Sequence, residues 1–107
     1  MDNDKIDKLM KVCEAFRELK HDITLSQVMT FLYIAANENG VTTEDIQELL
    51  NVSQAAASRN LRIFDYQSNK GLGLVDIMMS RDTANLKLRV LSPDGKTLLA
   101  KIEEIMG

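Results

Sequence analysis

A single cysteine, Cys13, leaves no partner for an internal disulfide and fits a reducing compartment. One histidine beside that one cysteine leaves no spacing suited to metal ligation and no nucleophile–base pair, so neither a metal site nor catalysis is expected. Glycine and proline are scarce, five and one, which argues against a low-complexity or disordered chain. No apolar run approaches membrane-spanning length. The start, Met1-Asp2-Asn3-Asp4-Lys5, is acidic and polar where a secretory signal would be basic and then apolar, so a cytoplasmic protein without a membrane partner is expected. The pair Gly71 and Gly73 follows a helical pattern and precedes a strand pattern. That order is the reverse of a phosphate-cradling loop, and no cofactor is expected.

What remains is ordinary for a globular protein: 45% of residues are apolar, and 107 residues suit one domain, 1–107, with a modest core. Residues 4–21 carry apolar side chains at alternating three- and four-residue spacing. Ile6, Leu9, Cys13 and Phe16 form the stripe, and Met10, Val12 and Leu19 widen it. So wide a face on a short chain predicts burial against a second copy. A second helix is predicted from a cap at Thr24 or Ser26 to about Asn37, built on Val28, Met29, Leu32, Tyr33 and Ala36. Asn37-Glu38-Asn39-Gly40 then stops it.

The segment from Val41 to Phe64 reads as two capped helices joined by a tight turn. Thr42 caps the first, with Glu44 and Asp45 where the helix dipole favours acids. Asn51-Val52 turns the chain and Ser53 caps the second, predicted to run to about Tyr66. At 100° per residue, Ala57, Leu61 and Phe64 share one face of this helix. Ala55, Ser58, Arg59 and Arg62 share the other.

After a loop over 67–73, the alternations Val75/Ile77/Met79 and Leu86/Leu88/Val90 predict a hairpin of strands 74–79 and 86–91 with a charged tip. Ser92-Pro93 is a cap followed by a first-turn proline. Leu98, Leu99, Ile102, Ile105 and Met106 make the helix after it amphipathic.

The net charge of −3 is unevenly spread. Residues 23–50 contain no Lys or Arg and four acids, whereas 51–70 and 80–92 are each +2. The only two positive stretches are thus the helix after Ser53 and the hairpin. Affinity for a polyanion follows local potential, which favours nucleic acid as a partner of these two segments.

Several ordered fragments resemble the MarR family of bacterial transcriptional regulators. Leu25-Ser26-Gln27-Val28 is similar to the family's L-T-x-x-Q, and Val41-Thr42-Thr43-Glu44-Asp45-Ile46 to L-T-x-x-E-L-A. The run Val52-Ser53-Gln54-Ala55-Ala56-Ala57-Ser58-Arg59 resembles L-S-x-x-x-V-S-R. Gly73-Leu74-Val75 matches G-L-V, and Leu91-Ser92-Pro93-Asp94-Gly95 resembles L-T-x-x-G. The set covers roughly residues 25–100 in the family's order. Two departures stand out. The hairpin reads Arg81-Asp82-Thr83-Ala84-Asn85 in place of the family's D-x-R, and the last helix has about four turns where the family adds two longer helices.

The resemblance implies a mainly α, α+β winged helix-turn-helix with N- and C-terminal dimerisation helices. It divides the chain into an N-terminal helix over 4–21, a helix-turn-helix with wing over 24–91, and a C-terminal helix over 92–106. The expected function is sequence-specific binding of double-stranded DNA by a homodimeric transcriptional regulator, a repressor. Ser53, Gln54, Ala55, Ser58, Arg59 and Arg62 are the expected recognition residues, because Arg reads guanine, Gln adenine and a methyl thymine. Arg81, Asn85, Lys87 and Arg89 are the expected wing contacts. Ile6, Leu9, Cys13, Phe16, Leu99, Ile102 and Ile105 are the expected dimer contacts. A small-molecule effector is left open. The alternatives are a phage or plasmid replication, partition or accessory DNA-binding protein, and a winged-helix protein-interaction module that inhibits another factor.

Overall fold

A computed structural model of the chain describes residues 2–65, 71–83 and 85–107. Among the described residues, five helices and one two-stranded sheet follow in the order α1 Asn3–Leu19, α2 Leu25–Ala36, α3 Thr43–Leu50, α4 Gln54–Arg62, β1 Val75–Met79, β2 Lys87–Leu91 and α5 Pro93–Met106. No helix among the described residues is long and apolar enough to cross a membrane.

Each helix starts where a short polar side chain can satisfy its leading N–H groups. The Asp2 carboxylate accepts from the Asp4 amide, and the Ser53 and Ser92 hydroxyls accept from Ala56 and Gly95. Thr24 with Gln27 and Thr42 with Asp45 form reciprocal capping boxes, so Thr24 rather than Ser26 opens α2. Asn51 closes α3 in the left-handed region at φ 53°, which Asn tolerates. Three residues later α4 begins, and this short turn sets α3 and α4 as a helix-turn-helix.

The core forms where the apolar faces of α1, α2, α3 and α4 meet the sheet and α5. Phe16, Phe31 and Phe64 lie at its centre, with ring centroids 5.6 Å apart for the first pair and 5.9 Å for the second. Around them Ile34, Val41, Ile46, Ala57, Leu61 and Val75 are all buried. Burying one such phenylalanine contributes about 1.5–3 kcal/mol.

The fourth helix ends at Arg62, short of the expected Tyr66, which with residues 67–70 lies outside the described residues. Its exit is claimed by the sheet. The Phe64 carbonyl accepts from the Leu74 and Val75 amides at 2.9 and 3.0 Å, and Asp65 bridges Val75 in parallel. The strands pair antiparallel, Val75 with Leu91 through Met79 with Lys87, and Val41 adds an antiparallel bridge to Arg89 on the outer side of β2.

This register corrects the expected hairpin. Cross-strand partners share a face, so Val75, Ile77 and Met79 lie with Leu91, Arg89 and Lys87. Leu88 and Val90 lie on the opposite face with Met78 and Asp76. The two apolar alternations therefore do not form one inner face. Leu88 and Val90 are half-buried where β2 meets α2 and α5. From the other face Arg89 reaches Thr43 at the start of α3 and Asp65 just past α4.

Gly95 shows how closely α5 sits on the sheet: a Cβ there would lie 2.1 Å from the Leu74 carbonyl oxygen. The Ser92 hydroxyl, besides capping α5, donates to the Gly73 carbonyl at 2.6 Å. The architecture is a mainly helical α+β winged helix-turn-helix.

Two expected dimer contacts are corrected by the packing. Phe16 is 1% exposed and Ile102 7%, so both belong to the chain's own core and offer nothing to a partner. Ile6, Leu9, Met10 and Cys13 do stay exposed on the first half of α1, and Leu99 and Ile105 are half-buried on α5.

Candidate nucleic-acid interface

Helix α4 owes its orientation to its small inner residues. Ala57 and Leu61 are fully buried, so the face on the far side of the helix is turned outward. There Gln54, Ala55, Arg59 and Arg62 are exposed and Ser58 is half-buried. Ser53, also exposed, spends its hydroxyl on the Ala56 amide 3.2 Å away, which fixes the helix start. Asn60 turns its amide back onto the Ala56 carbonyl at 2.9 Å. Neither Arg59 nor Arg62 forms a salt bridge with a carboxylate among the described residues.

The surface this produces is flat and small near the helix start, where Ala55 and Ser58 sit. It is cationic one turn later. A helix with small residues between donors can seat close to base edges in a groove wide enough for it, which the B-form major groove is. Guanidinium groups pair bidentately with guanine O6 and N7 or with phosphate.

The hairpin tip is held by its own backbone and by Ser80. The Ser80 hydroxyl accepts from the Asp82 and Thr83 amides at 3.2 Å each, and the Ser80 amide donates to the Leu86 carbonyl at 2.9 Å. Asn85 takes φ 66°, a left-handed turn position, and Ala84 beside it lies outside the described residues. Arg81, Asn85 and Lys87 are exposed.

Arg89 is not a surface residue, and the expectation of a wing contact is corrected here. It is 7% exposed; its Nε lies 3.4 Å from Asp65 Oδ1 and its Nη1 3.4 Å from the Thr43 hydroxyl. The cause is the register, which puts Arg89 on the inward face beside Ile77 and Val75. Once Asp65 and Arg89 neutralise each other inside, Arg59, Arg62 and Lys70 are unopposed in residues 51–70. Residues 80–92 keep a single net positive charge. Within the helix-turn-helix, positive charge is therefore confined to α4, at Arg59 and Arg62.

Asp65 and Thr43 were missed by sequence reasoning. Asp65 carried one signal: it is the only acid between Asn51 and Lys70, placed where a helix was expected to continue. Nothing local marks Thr43 as the guanidinium's second partner, 46 residues away. The flank of α3 is acidic, with Glu44 and Glu48 exposed and Gln47 between them facing Gln54 across a shallow groove.

No protein-family model and no curated protein matches the sequence. Solved structures do match the fold. MepR of Staphylococcus aureus in complex with DNA aligns with a TM-score of 0.74 at 22% identity over 94% of this chain and 77% of that one. The heme sensor protein PefR of Streptococcus agalactiae, in complex with heme, aligns with a TM-score of 0.64 at 17% identity, over 94% of this chain and 67% of that one. MarR aligns with a TM-score of 0.62 at 16% identity, over 91% and 71%. The winged helix-turn-helix architecture is thus shared with these proteins across nearly the whole chain.

Proposed function

We propose that the protein binds double-stranded DNA sequence-specifically as a homodimer and represses transcription. The observation that carries this reading is the outward face of α4, where Arg59 and Arg62 stand exposed beside the small residues Ala55 and Ser58. In this reading α4 enters the major groove, with Gln54, Ala55, Ser58 and Arg59 against base edges. Ser53 and Arg62 meet phosphates at its two ends. Arg81, Asn85 and Lys87 carry the hairpin tip onto the flanking backbone or minor groove. The likeness to MepR in complex with DNA supports DNA as the partner.

Dimerisation falls to the apolar surface that the chain leaves open: Ile6, Leu9, Met10 and Cys13 on α1, with Leu99, Ile105 and Met106 on α5. Two-fold symmetry then calls for a pseudo-palindromic site with half-sites about 10 bp apart, or a multiple of that.

One observation favours a second reading, a protein-interaction module. The flank of α3 next to Gln54 is acidic, and the chain as a whole is −3. Binding to a labelled random duplex across a salt series separates the two. A DNA binder loses affinity steeply, with a log–log slope of about −0.9 per phosphate contacted. Absence of any salt-dependent binding would select the interaction module.

A further inference from the structure

Resting on the DNA-binding reading above, we infer that Arg89 is a positioning residue of the interface. It does not touch the duplex but sets the angle between the wing and the recognition helix α4, using Asp65 and Thr43 as its two fixed points.

The geometry gives Arg89 this place. Among the described residues its backbone is the only point where β2 is paired on both sides, with Ile77 of β1 and with Val41, whose amide and carbonyl meet those of Arg89 at 3.0 and 2.9 Å. Its side chain then reaches out of the sheet to both helices of the helix-turn-helix. Thr43 is the first residue of α3, and Asp65 lies three residues past the end of α4. The guanidinium therefore spans the start of the first helix and the exit of the second.

Backbone bonds also tie the base of the wing to the exit of α4: Leu72 donates to the Ile63 carbonyl, and Leu74 and Val75 donate to the Phe64 carbonyl. Those bonds hold the base of β1, and the Val41–Arg89 backbone pair holds the outer edge of β2 to the segment before α3. The guanidinium adds side-chain ties from β2 to the start of α3 and the exit of α4, so the tilt of the wing toward α4 is set in direction and not by strand pairing alone. An apolar side chain at position 89 would fill the space without fixing a direction, whereas a planar guanidinium with an acceptor on each side does. A buried ion pair adds little net stability over apolar residues of the same size, so a directional role is the better account of its presence.

Arg81, Asn85 and Lys87 all sit on the hairpin beyond this clamp. If the wing swings, these three contacts lose their register on the duplex while the contacts from α4 persist.

The test uses the full chain and the double variant Asp65→Leu/Arg89→Met, which removes both charges and leaves no orphan inside. A second variant, Thr43→Val, keeps the ion pair and removes only one fixed point. Spin labels at Ala55 and Asp82, in a Cys13→Ser background, report the helix-to-wing distance without DNA. The expected result is one narrow distribution for the unaltered pair, a broad one for the double variant and an intermediate one for Thr43→Val. On a selected duplex, the double variant should bind about tenfold more weakly, lose cleavage protection at the flank and keep α4's base preference. Unchanged distance distributions in both variants would overturn the inference, as would full flank protection with the clamp removed. Failure of the unaltered protein to bind any duplex would instead refute the DNA-binding reading, and the distance measurement would still decide whether Arg89 positions the wing.

Discussion

Gly95→Ala sets two physical effects of opposite sign against each other at one buried site. Alanine favours a helix over glycine by about 1 kcal/mol, so propensity alone predicts a more stable protein. The structure predicts the reverse. The added Cβ would lie 2.1 Å from the Leu74 carbonyl oxygen and 3.2 Å from Leu91 Cδ2. The oxygen is not free to retreat. It accepts from the Ser92 amide at 3.0 Å, and the Leu74 amide in turn is bonded to Phe64 at 2.9 Å. Relief requires α5 to lift from the sheet, at an overpacking cost of about 1–3 kcal/mol. Loss of the Ser92–Leu74 bond adds about 0.5–1.5 kcal/mol. After the helix gain is subtracted, the net loss is about 0.5–3.5 kcal/mol, or roughly 2–14 °C in Tm at about 4 °C per kcal/mol for a domain of this size. Thermal unfolding followed by circular dichroism, with calorimetry to check two-state behaviour, measures it. An unchanged or raised Tm would refute the packing argument and leave propensity as the dominant effect.

Arg59→Ala should weaken binding to a selected site by about 1–3 kcal/mol while leaving random duplex nearly unaffected; equal losses on both would remove the base-reading role. Lys87→Ala should weaken all duplexes alike and reduce the salt slope by about one, as read in a salt titration by fluorescence anisotropy. Leu9→Glu, on the exposed side of α1 where Leu9 is 45% exposed, should give a monomer by analytical ultracentrifugation with its Tm nearly unchanged. A Leu9→Glu protein that remains dimeric would place the subunit contact elsewhere.

Much of this fold was legible in the sequence because its signals are local. Thr42, Ser53 and Ser92 cap helices, a job done within three residues, and the outward turn of Arg59 follows from Ala57 and Leu61 one turn apart on the other side. What was not legible depends on distant parts of the chain. Alternation showed that β1 and β2 each have an apolar side, but only the register reveals that these sides point opposite ways and that Arg89 faces inward. The early end of α4 is set by β1, which takes the Phe64 carbonyl for the sheet. Periodicity likewise marks Phe16 and Ile102 as buried without saying against what, and the chain's own core claims both.

Selection of bound sequences from a random duplex pool, with the full-length protein, tests the DNA-reading role of α4 most directly. The account predicts enrichment of a pseudo-palindrome whose half-site centres lie about 10 bp apart or a multiple of that, with a guanine preference that disappears in Arg59→Ala. A pool that emerges without enriched sequence, or a motif that Arg59→Ala leaves intact, would contradict it.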